Sequence, residues 1–335
     1  MPRPDIDILI IGAGVLGLAT AAELSRRGRA VAVVDPGDPN ASSVAAGMIA
    51  PAFESAAENA TPEQAAFLRR ARDLWPDFAQ AHGLDLRPAN AEWLGPDAGE
   101  VVDRLVALGF RAWVAEGRAL TDEDFRIEPE AALEALRRRL DVRQGRIDRV
   151  ERTAEGWRAP GRGIDVAAAG LVVATGTAPS SAGLPEKARR LIDAVIPIRG
   201  QIGRAAGLSL DHVLRSRQAY LVPSAGGAML GATMEPDRRD LEPDAAVGET
   251  LRASAEGLIG GPVGAVEWRV GVRGASPDGL PIAGPVGEAV HLALAPRRNG
   301  WLLAPLIARV VADGIEDRAP EADATALAPA RFSPG

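Results

Sequence analysis

Residues 6–36 read IDILIIGAGVLGLATAAELSRRGRAVAVVDP, and their pattern predicts the fold of the first part of the chain. Ile6–Ile11 is an almost continuously apolar run, which is typical of a strand buried in a parallel sheet. From Val15–Arg27 the apolar residues recur every three or four positions, and Gly28 then ends the predicted helix. A second apolar run, Ala30–Val34, completes the pattern. The stretch therefore predicts a β-α-β unit.

Three glycines lie between the first strand and the helix of this unit. Gly12, Gly14 and Gly17 form a G-x-G-x-x-G sequence, which permits a tight turn, close approach of a pyrophosphate, and close packing of helix on strand. The helix N-terminus then faces the phosphates. Asp35 follows the last glycine by 18 residues and can accept hydrogen bonds from a ribose hydroxyl pair. The complete unit predicts dinucleotide binding; the alternative is a glycine-rich turn that binds nothing.

Length and composition narrow the class of protein. A chain of 335 residues suits about two domains, and 47% hydrophobic with 25% charged residues is typical of a soluble globular protein. The net charge of −7 argues against nucleic acid or anionic membrane as a main partner. The apolar run 8–22 is too short to span a membrane and is interrupted by glycines. We therefore expect a cytoplasmic enzyme, and the sequence leaves room for a homo-oligomer.

Cysteine and histidine usage excludes several chemistries. The chain has no cysteine, which excludes disulfides, thiolate metal sites, a cysteine nucleophile and a cofactor tethered through sulfur. His82, His212 and His291 are far apart and lack metal-ligand spacing, so no metal site is predicted.

The remaining pattern predicts separated pieces of one nucleotide-binding domain with a second domain interleaved. A loop is expected at 40–51, helices at 62–82, 97–108, 130–140 and 244–258, strands at 146–151, 156–159, 164–167 and 171–178, mainly strands over 194–273, and a last helix from Trp301 to Asp313. We assign 1–50, 130–190 and 274–330 to the nucleotide-binding domain, and 51–129 and 191–273 to a substrate-binding domain.

Seven motifs, in this order, resemble the D-amino-acid oxidase superfamily of FAD enzymes, and most of all its glycine oxidases associated with thiamine biosynthesis. They are GAGVLGLATAAEL, ASSVAAGMIAP, VVATG, IRGQ, YLVPSAGGAMLGATME, GVRGASPDGLPIAGP and RRNGWLLAP, and the likeness runs from residue 6 to about 313. The resemblance implies an α/β fold: a Rossmann-like FAD-binding domain of the D-amino-acid oxidase type with an interleaved α+β, mainly antiparallel-sheet substrate domain.

The resemblance also implies an activity. It is the oxidative deamination of glycine or a similar small amino acid, with hydride transfer to flavin N5 and reoxidation by O2 to give H2O2. No side-chain base is required, because the cofactor supplies the chemistry. The alternatives are a D-amino-acid or N-methyl-amino-acid oxidase or dehydrogenase, an NAD-dependent dehydrogenase, and a flavin-binding protein without catalytic activity.

Site residues follow from the resemblance, position by position. Tyr220 and Arg273 would hold the substrate carboxylate, Met48 and Met234 would flank a small pocket, and the carbonyl near Arg298 would receive the amine. FAD would be bound by Gly12, Ala13, Gly14, Val15, Leu16, Gly17, Asp35, Pro36, Ser42, Ser43, Ala45, Ala46, Gly47, Met48, Ile147, Thr175, Gly176, Arg273, Arg298, Asn299, Gly300, Trp301 and Leu302. We expect FAD to be held without a covalent bond, since no histidine lies in the loop expected to face the flavin.

The residues themselves support only part of this assignment. Arginine suits a carboxylate because its planar fork donates two parallel bonds. Arg269 shares a strand face with Arg273 and is the alternative ligand, and either arginine could also be a surface residue. Tyr220 has the pattern of a core tyrosine, and Met48 and Met234 that of ordinary core filler.

The segment 293–305, ALAPRRNGWLLAP, combines two arginines and an Asn-Gly pair with the start of the last helix. A helix that begins at Asn299–Trp301 offers unpaired N–H groups and partial positive charge to the flavin. Pro305 is expected near the first turn, where its missing N–H has little effect. The alternative is a solvated turn with two surface arginines. Pro296 and Arg297 replace an aromatic or histidine pair that is usual in the family, and Gly274 replaces its usual proline, so the substrate is left open.

Overall fold

The computed structural model describes residues 5–332, which form two compact units. The first unit contains the chain up to Ser43, Leu133–Ile198 and the chain from Val272; the second contains Val44–Ala132 and Arg199–Gly271. Residues 1–4, the start of the predicted 1–50 segment, lie outside the described part. Residues 44–50 belong to the second unit, not to the first as predicted, because Met48–Ile49 pairs with a strand of that unit.

The elements are numbered in chain order. The strands are β1 Ile8–Ile11, β2 Val31–Asp35, β3 Met48–Ile49, β4 Arg87–Trp93, β5 Trp113–Ala115, β6 Arg118–Arg126, β7 Asp141–Gln144, β8 Glu151–Arg152, β9 Trp157–Gly161, β10 Ile164–Ala168, β11 Gly170–Val173, β12 Ile196–Ala206, β13 Val213–Arg215, β14 Tyr220–Ser224, β15 Gly227–Gly231, β16 Glu235–Pro236, β17 Val266–Ala275, β18 Ile282–Gly287 and β19 Val290–Leu294. The helices are α1 Val15–Arg26, α2 Ala41–Val44, α3 Pro51–Ala57, α4 Pro62–Asp73, α5 Trp75–His82, α6 Ala98–Ala107, α7 Pro129–Arg137, α8 Glu186–Asp193, α9 Ala245–Ile259, α10 Gly300–Ile315 and α11 Ala322–Leu327, followed by a 3-10 turn at Pro329–Phe332.

A six-stranded sheet forms the centre of the first unit. Its strand order is β18-β19-β11-β1-β2-β7, and only the β18–β19 pair is antiparallel. Every residue of β1 is buried, as its uninterrupted apolar sequence requires of a central parallel strand. Ile10 lies between Val33 of β2 and Val172 of β11. The predicted α/β class and β-α-β unit are confirmed.

Helices α1 and α10 of the first unit are tied together at their C-terminal ends. The Arg27 guanidinium, whose side chain is 9% exposed, lies 2.6 Å from Asp313, 2.9 Å from Glu316 and 2.7 Å from Glu23. A buried cation with three carboxylates is stabilising only as a complete set. The network therefore fixes the register between the two helices.

A small antiparallel sheet, β8-β9-β10, follows β7 in the first unit. The strand predicted at 146–151 is wrong except for its last residue, because the chain there forms only isolated bridges before β8. One of the strands that the sequence did not predict is β7, which pairs in parallel with β2 at the sheet edge. Its sequence, DVRQ, is mostly polar, as an edge strand permits, and so lacks the apolar signal.

A mostly antiparallel ten-stranded sheet forms the second unit. Its main order is β16-β12-β15-β14-β13-β4-β6-β3, with β17 on β12 and β5 on β6. Phe53 of α3 and Leu105 of α6 pack with Trp93 and Tyr220 in one buried cluster. Helix α9 covers a separate cluster that includes Leu221 and Leu251.

Two predictions for the second unit need correction. The helix predicted at 62–82 is two helices, since Pro76 has no N–H for a bond across the junction at Leu74. The loop predicted at 40–51 contains α2, β3 and the start of α3. Its small residues show no helical or strand period, yet pairing of Met48 with Arg126 orders the segment.

Candidate functional site

The glycine-rich turn of the first unit is packed too closely for any larger residue at two positions. Gly12 has a φ of +108°, and a Cβ atom there would lie 2.4 Å from the Ala174 carbonyl oxygen. A Cβ atom at Gly17 would lie 2.0 Å from the Gly12 carbonyl oxygen. Close helix–strand packing is therefore enforced at Gly17, as the motif predicts.

Asp35 ends β2 and organises the same turn. One of its carboxylate oxygens accepts the Ala13 N–H at 2.7 Å, and the other accepts the Gly37 N–H at 2.8 Å. A carboxylate has about four lone-pair sites, so two backbone bonds leave capacity for a ribose hydroxyl pair. Asp35 thus acts on the loop as well as being available to a nucleotide.

Ser42 joins three of the predicted cofactor segments within the first unit. Its hydroxyl accepts the Val15 N–H at 3.0 Å, which caps α1, whose N-cap residue Gly14 has no side chain to do so. Its carbonyl accepts the Trp301 indole N–H at 3.0 Å. A Cβ atom at Gly300 would lie 3.7 Å from a Val15 methyl group. The N-termini of α1 and α10 therefore lie side by side.

Three further predicted cofactor positions, Thr175, Gly176 and Ile147, lie in the same unit. The Thr175 hydroxyl oxygen is buried and has no hydrogen-bond partner within the described residues, which is costly unless a ligand or water supplies one. Gly176 beside it has a φ of +64° and open space at its Cβ position. The Ile147 carbonyl accepts the Ser181 hydroxyl at 2.9 Å, so a nucleotide base would share that acceptor.

The end of β17 is joined to the turn before α10. The Arg297 N–H donates to the Gly274 carbonyl at 2.8 Å, and Ala275 forms a bridge with Pro296. This pairing keeps the strand end that carries Arg273 beside the turn that carries Arg298. Gly274 also packs closely, because a Cβ atom there would lie 2.7 Å from a Val195 methyl group.

Arg269, the alternative carboxylate ligand, is already paired within the second unit. It lies 2.9 Å from Glu267 and 2.7 Å from Glu130, and these carboxylates raise its pKa. An arginine that holds two carboxylates of its own chain is a poor ligand for a third. These contacts argue against Arg269 as the carboxylate ligand.

Helix α10 begins at Gly300 after Asn299, within the predicted range. Asn299 makes no side-chain cap, so the first N–H groups of α10 have no partner from that residue. The prediction for Pro305 is wrong. It lies beyond the first turn, inside the helix, where its ring removes the bond to the Trp301 carbonyl.

The second unit carries the other predicted positions: Ala45, Ala46, Gly47, Met48, Tyr220 and Met234. Tyr220 is 9% exposed and packs in the cluster against which Met48 rests. Its ring covers Gly231, where a Cβ atom would lie 2.6 Å from the phenol oxygen. At Gly47, with a φ of +73°, a Cβ atom would lie 1.9 Å from the Ile127 carbonyl oxygen. Met234 lies on a separate, half-buried segment.

Sequence reasoning missed two groups of residues that organise these positions. Arg137 donates to the Ala13 carbonyl at 3.2 Å in the first unit. In the second unit, Arg199 and Gln201 of the IRGQ motif are fully buried and bind the segment that follows Met234. The motif was visible, but its partners lie more than 30 residues away and have no local signal. Within residues 5–332, no helix combines the length and apolar character that crossing a bilayer requires.

The chain is similar to known proteins over nearly its full length. Residues 7–314 match the DAO family, described as "FAD dependent oxidoreductase". The chain is 28% identical to the glycine oxidase of Pseudomonas aeruginosa, over 96% of this chain and 98% of that protein. It is 30% identical to the tRNA 5-methylaminomethyl-2-thiouridine biosynthesis bifunctional protein MnmC of Maricaulis maris, over 98% of this chain and 56% of that protein. The crystal structure of glycine oxidase from Geobacillus kaustophilus superposes with a TM-score of 0.81 at 23% identity, covering 98% of this chain and 99% of that one.

Proposed function

Because the chain belongs to the DAO family of FAD-dependent oxidoreductases, we propose that it oxidises the amine of a small amino acid, with O2 as electron acceptor. One observation carries the proposal beyond the family. The Gly274–Arg297 backbone bond holds the end of the strand bearing Arg273 beside the start of α10. A candidate carboxylate ligand and the N-terminus of α10 are thereby kept together in one unit.

The residues of the first unit fit FAD. The glycine turn leaves no room for side chains at Gly12 and Gly17, and Thr175 presents a buried hydroxyl without a partner among the described residues. Asp35 retains acceptor capacity for a ribose. FAD would be held by these groups and by Ser42. When bound, it accepts the electron pair of the substrate and passes it to the acceptor.

We assign the substrate carboxylate to Arg273. Its guanidinium can donate two parallel, charge-assisted bonds, which fix orientation as well as affinity. Tyr220 would donate a further hydrogen bond to the substrate, and Met48 and Met234 would supply apolar contact that favours a small side chain. These roles for the second unit rest on the family resemblance and on the shared cluster of Tyr220 and Met48.

The α10 N-terminus and Arg298 would stabilise negative charge that develops during oxidation. Aligned peptide dipoles give a helix N-terminus about half a positive charge, and Arg298 adds a full one. The carbonyl near Arg298 would accept a hydrogen bond from the substrate amine. No side-chain base is assigned, because the amine can release its proton to water before the oxidation.

A peroxide assay with glycine, sarcosine, D-alanine and D-proline tests the proposal. We expect peroxide with at least one of them and the highest kcat/KM with glycine. A preference for D-alanine or D-proline would support the D-amino-acid alternative. A preference for sarcosine would support an N-substituted glycine, a substrate type in line with the methylaminomethyl chemistry in the name of the MnmC relative.

The same preparation separates oxidase from dehydrogenase and from an inactive protein. Turnover with an artificial quinone but not with O2 would identify a dehydrogenase. FAD-loaded protein that remains oxidised with all four amines under anaerobic conditions would refute the proposed reaction.

A further inference from the structure

Arg137, the last residue of α7, lies against the glycine-rich turn of the first unit. Its terminal N–H group donates to the Ala13 carbonyl at 3.2 Å. Its Nε atom is buried and has no hydrogen-bond partner within residues 5–332. None of the carboxylates in the described part of the chain forms an ion pair with it. Arg137 is therefore a half-buried cation without a local counter-charge.

The Ala13 residue is held from both sides by charged side chains. Asp35 accepts its N–H at 2.7 Å, and Arg137 donates to its carbonyl at 3.2 Å. The neighbouring residues, Gly12 and Gly14, are glycines and resist backbone rotation less than any other residue. The orientation of the Gly14 N–H thus depends on these two long-range bonds, while the Ser42 hydroxyl holds the next N–H group, that of Val15. A turn that is ordered before binding loses less entropy when the ligand arrives.

Within residues 5–332, no carboxylate pairs with Arg137. A guanidinium that is partly removed from water is stabilised by an anion bound beside it. The turn beside it leads into α1, whose N-terminus favours a phosphate group. A dinucleotide diphosphate is the anion whose chemistry fits both features.

We propose that Arg137 is a cofactor-positioning residue, which fixes the Ala13 peptide and adds positive charge to the turn that faces the FAD diphosphate. This role goes beyond the oxidation proposed above and does not depend on its substrate. It predicts that Arg137 contributes to affinity for the adenosine diphosphate half of FAD and not to recognition of the amine.

Titration of FAD-free protein with FAD tests the role directly, with flavin fluorescence as the readout. R137M removes the charge and the bond, and we expect it to raise the FAD Kd by roughly ten-fold or more. The matched control is R138M, since Arg138 is the next residue of the chain, its side chain is 73% exposed, and it pairs with Glu134 at 2.9 Å. We expect R138M to bind FAD as wild type does.

Competition with ADP locates the effect. ADP contains the adenosine and diphosphate groups without the flavin. R137M should therefore weaken the binding of ADP by the same factor as the binding of FAD. An unchanged ADP affinity alongside weaker FAD would overturn the assignment to the diphosphate half. Unchanged affinity for both ligands would overturn the proposal entirely.

Two conservative variants keep the test valid if R137M does not fold. R137K retains the charge, and R137Q retains a donor for the Ala13 carbonyl without the charge. We expect R137Q to weaken FAD binding more than R137K does. The difference between the two Kd values should shrink at high salt, because screening reduces the contribution of the charge. R137Q that binds FAD as tightly as wild type would contradict the role of the charge. Thermal unfolding of each FAD-free variant reports separately on the fold.

Discussion

At the scale of single residues, Asp124 of β6 is a buried acid with a raised pKa. Its side chain is 1% exposed, and burial raises its pKa to about 7 against the opposing charges of Arg215 and Arg72. Glu123 raises the pKa further, and the Ala52 amide lowers it. Such an acid is neutral over much of the pH range in which an exposed aspartate is ionised.

Asp124→Asn should make the free energy of unfolding less dependent on pH. The pKa of Asp124 in the folded protein lies above the unfolded value of about 3.9. In wild type, the contribution of this carboxyl to the free energy of unfolding is therefore fully present below pH ~4 and is lost as the pH rises to about 7. Asparagine stays neutral at every pH, so its contribution to the free energy of unfolding does not change. The stability of the variant relative to wild type should therefore rise by about 2–4 kcal/mol between these two pH values. Urea unfolding at pH 5 and pH 8 measures this gain. A difference between the proteins that is equal at both pH values would contradict the assignment.

Arg273 is the residue on which the proposed substrate binding depends. A bond between charged groups contributes about 1.5–3 kcal/mol, so Arg273→Ala should lower kcat/KM by roughly ten- to a hundred-fold while FAD stays bound. Arg273→Lys should restore little, since an ammonium cannot donate two parallel bonds. The control is Arg269→Ala, because Arg269 is held by Glu130 and Glu267. Loss of activity in the Arg269 variant alone would transfer the role to that residue.

At the scale of elements, strand β12 holds the segment that follows Met234. Arg199 is 0% exposed and lies 2.7 Å from Glu235 and 3.0 Å from Asp240, and it also donates to the Glu242 carbonyl. Gln201 exchanges two bonds with the Asp244 backbone, at 2.7 and 2.9 Å. These buried polar groups form a satisfied network, which specifies one arrangement of the segment.

Arg199→Met should release this segment without unfolding the protein. Residues 235–243 would lose their main buried anchor, and we expect their amide hydrogens to exchange at least ten-fold faster while β14 and β15 stay protected. Hydrogen-exchange mass spectrometry resolves the two regions. Arg204→Met is the control on the same strand, since the Ala225 carbonyl is the one hydrogen-bond partner of the Arg204 side chain among residues 5–332. Equal exchange in the 235–243 peptide of both variants would show that the anchor is not Arg199.

At the scale of the whole molecule, the attachment of FAD depends on which nucleophiles the chain contains. There is no cysteine for a thioether. His291 is 7% exposed within β19, and burial lowers its pKa. Acid precipitation of the purified protein should therefore leave the yellow colour in the supernatant. Colour in the pellet would reveal a covalent bond and contradict the non-covalent prediction.

Elements whose signal is local can be predicted from the sequence alone. The apolar run of β1, the glycines of the turn and the periodicity of α1 and α10 arise from contacts within a few residues, so the pattern shows them directly. The same holds for the class of the first unit, because a parallel β-α-β unit has few topological solutions. The role of Asp35 can also be predicted from the sequence, because its spacing from Gly17 is part of the motif.

Contacts between groups that are distant in the sequence become visible in the folded structure alone. Ser42 caps α1 across 27 residues, and Arg137 reaches Ala13 across 124, and neither serine nor arginine carries a local sign of its partner. The sequence also could not show that β7 is a strand or that Asp124 is buried, since polar residues there resemble any surface segment. Pairing and burial depend on how the chain returns to itself, and the free energy of such contacts is set by surroundings drawn from distant segments.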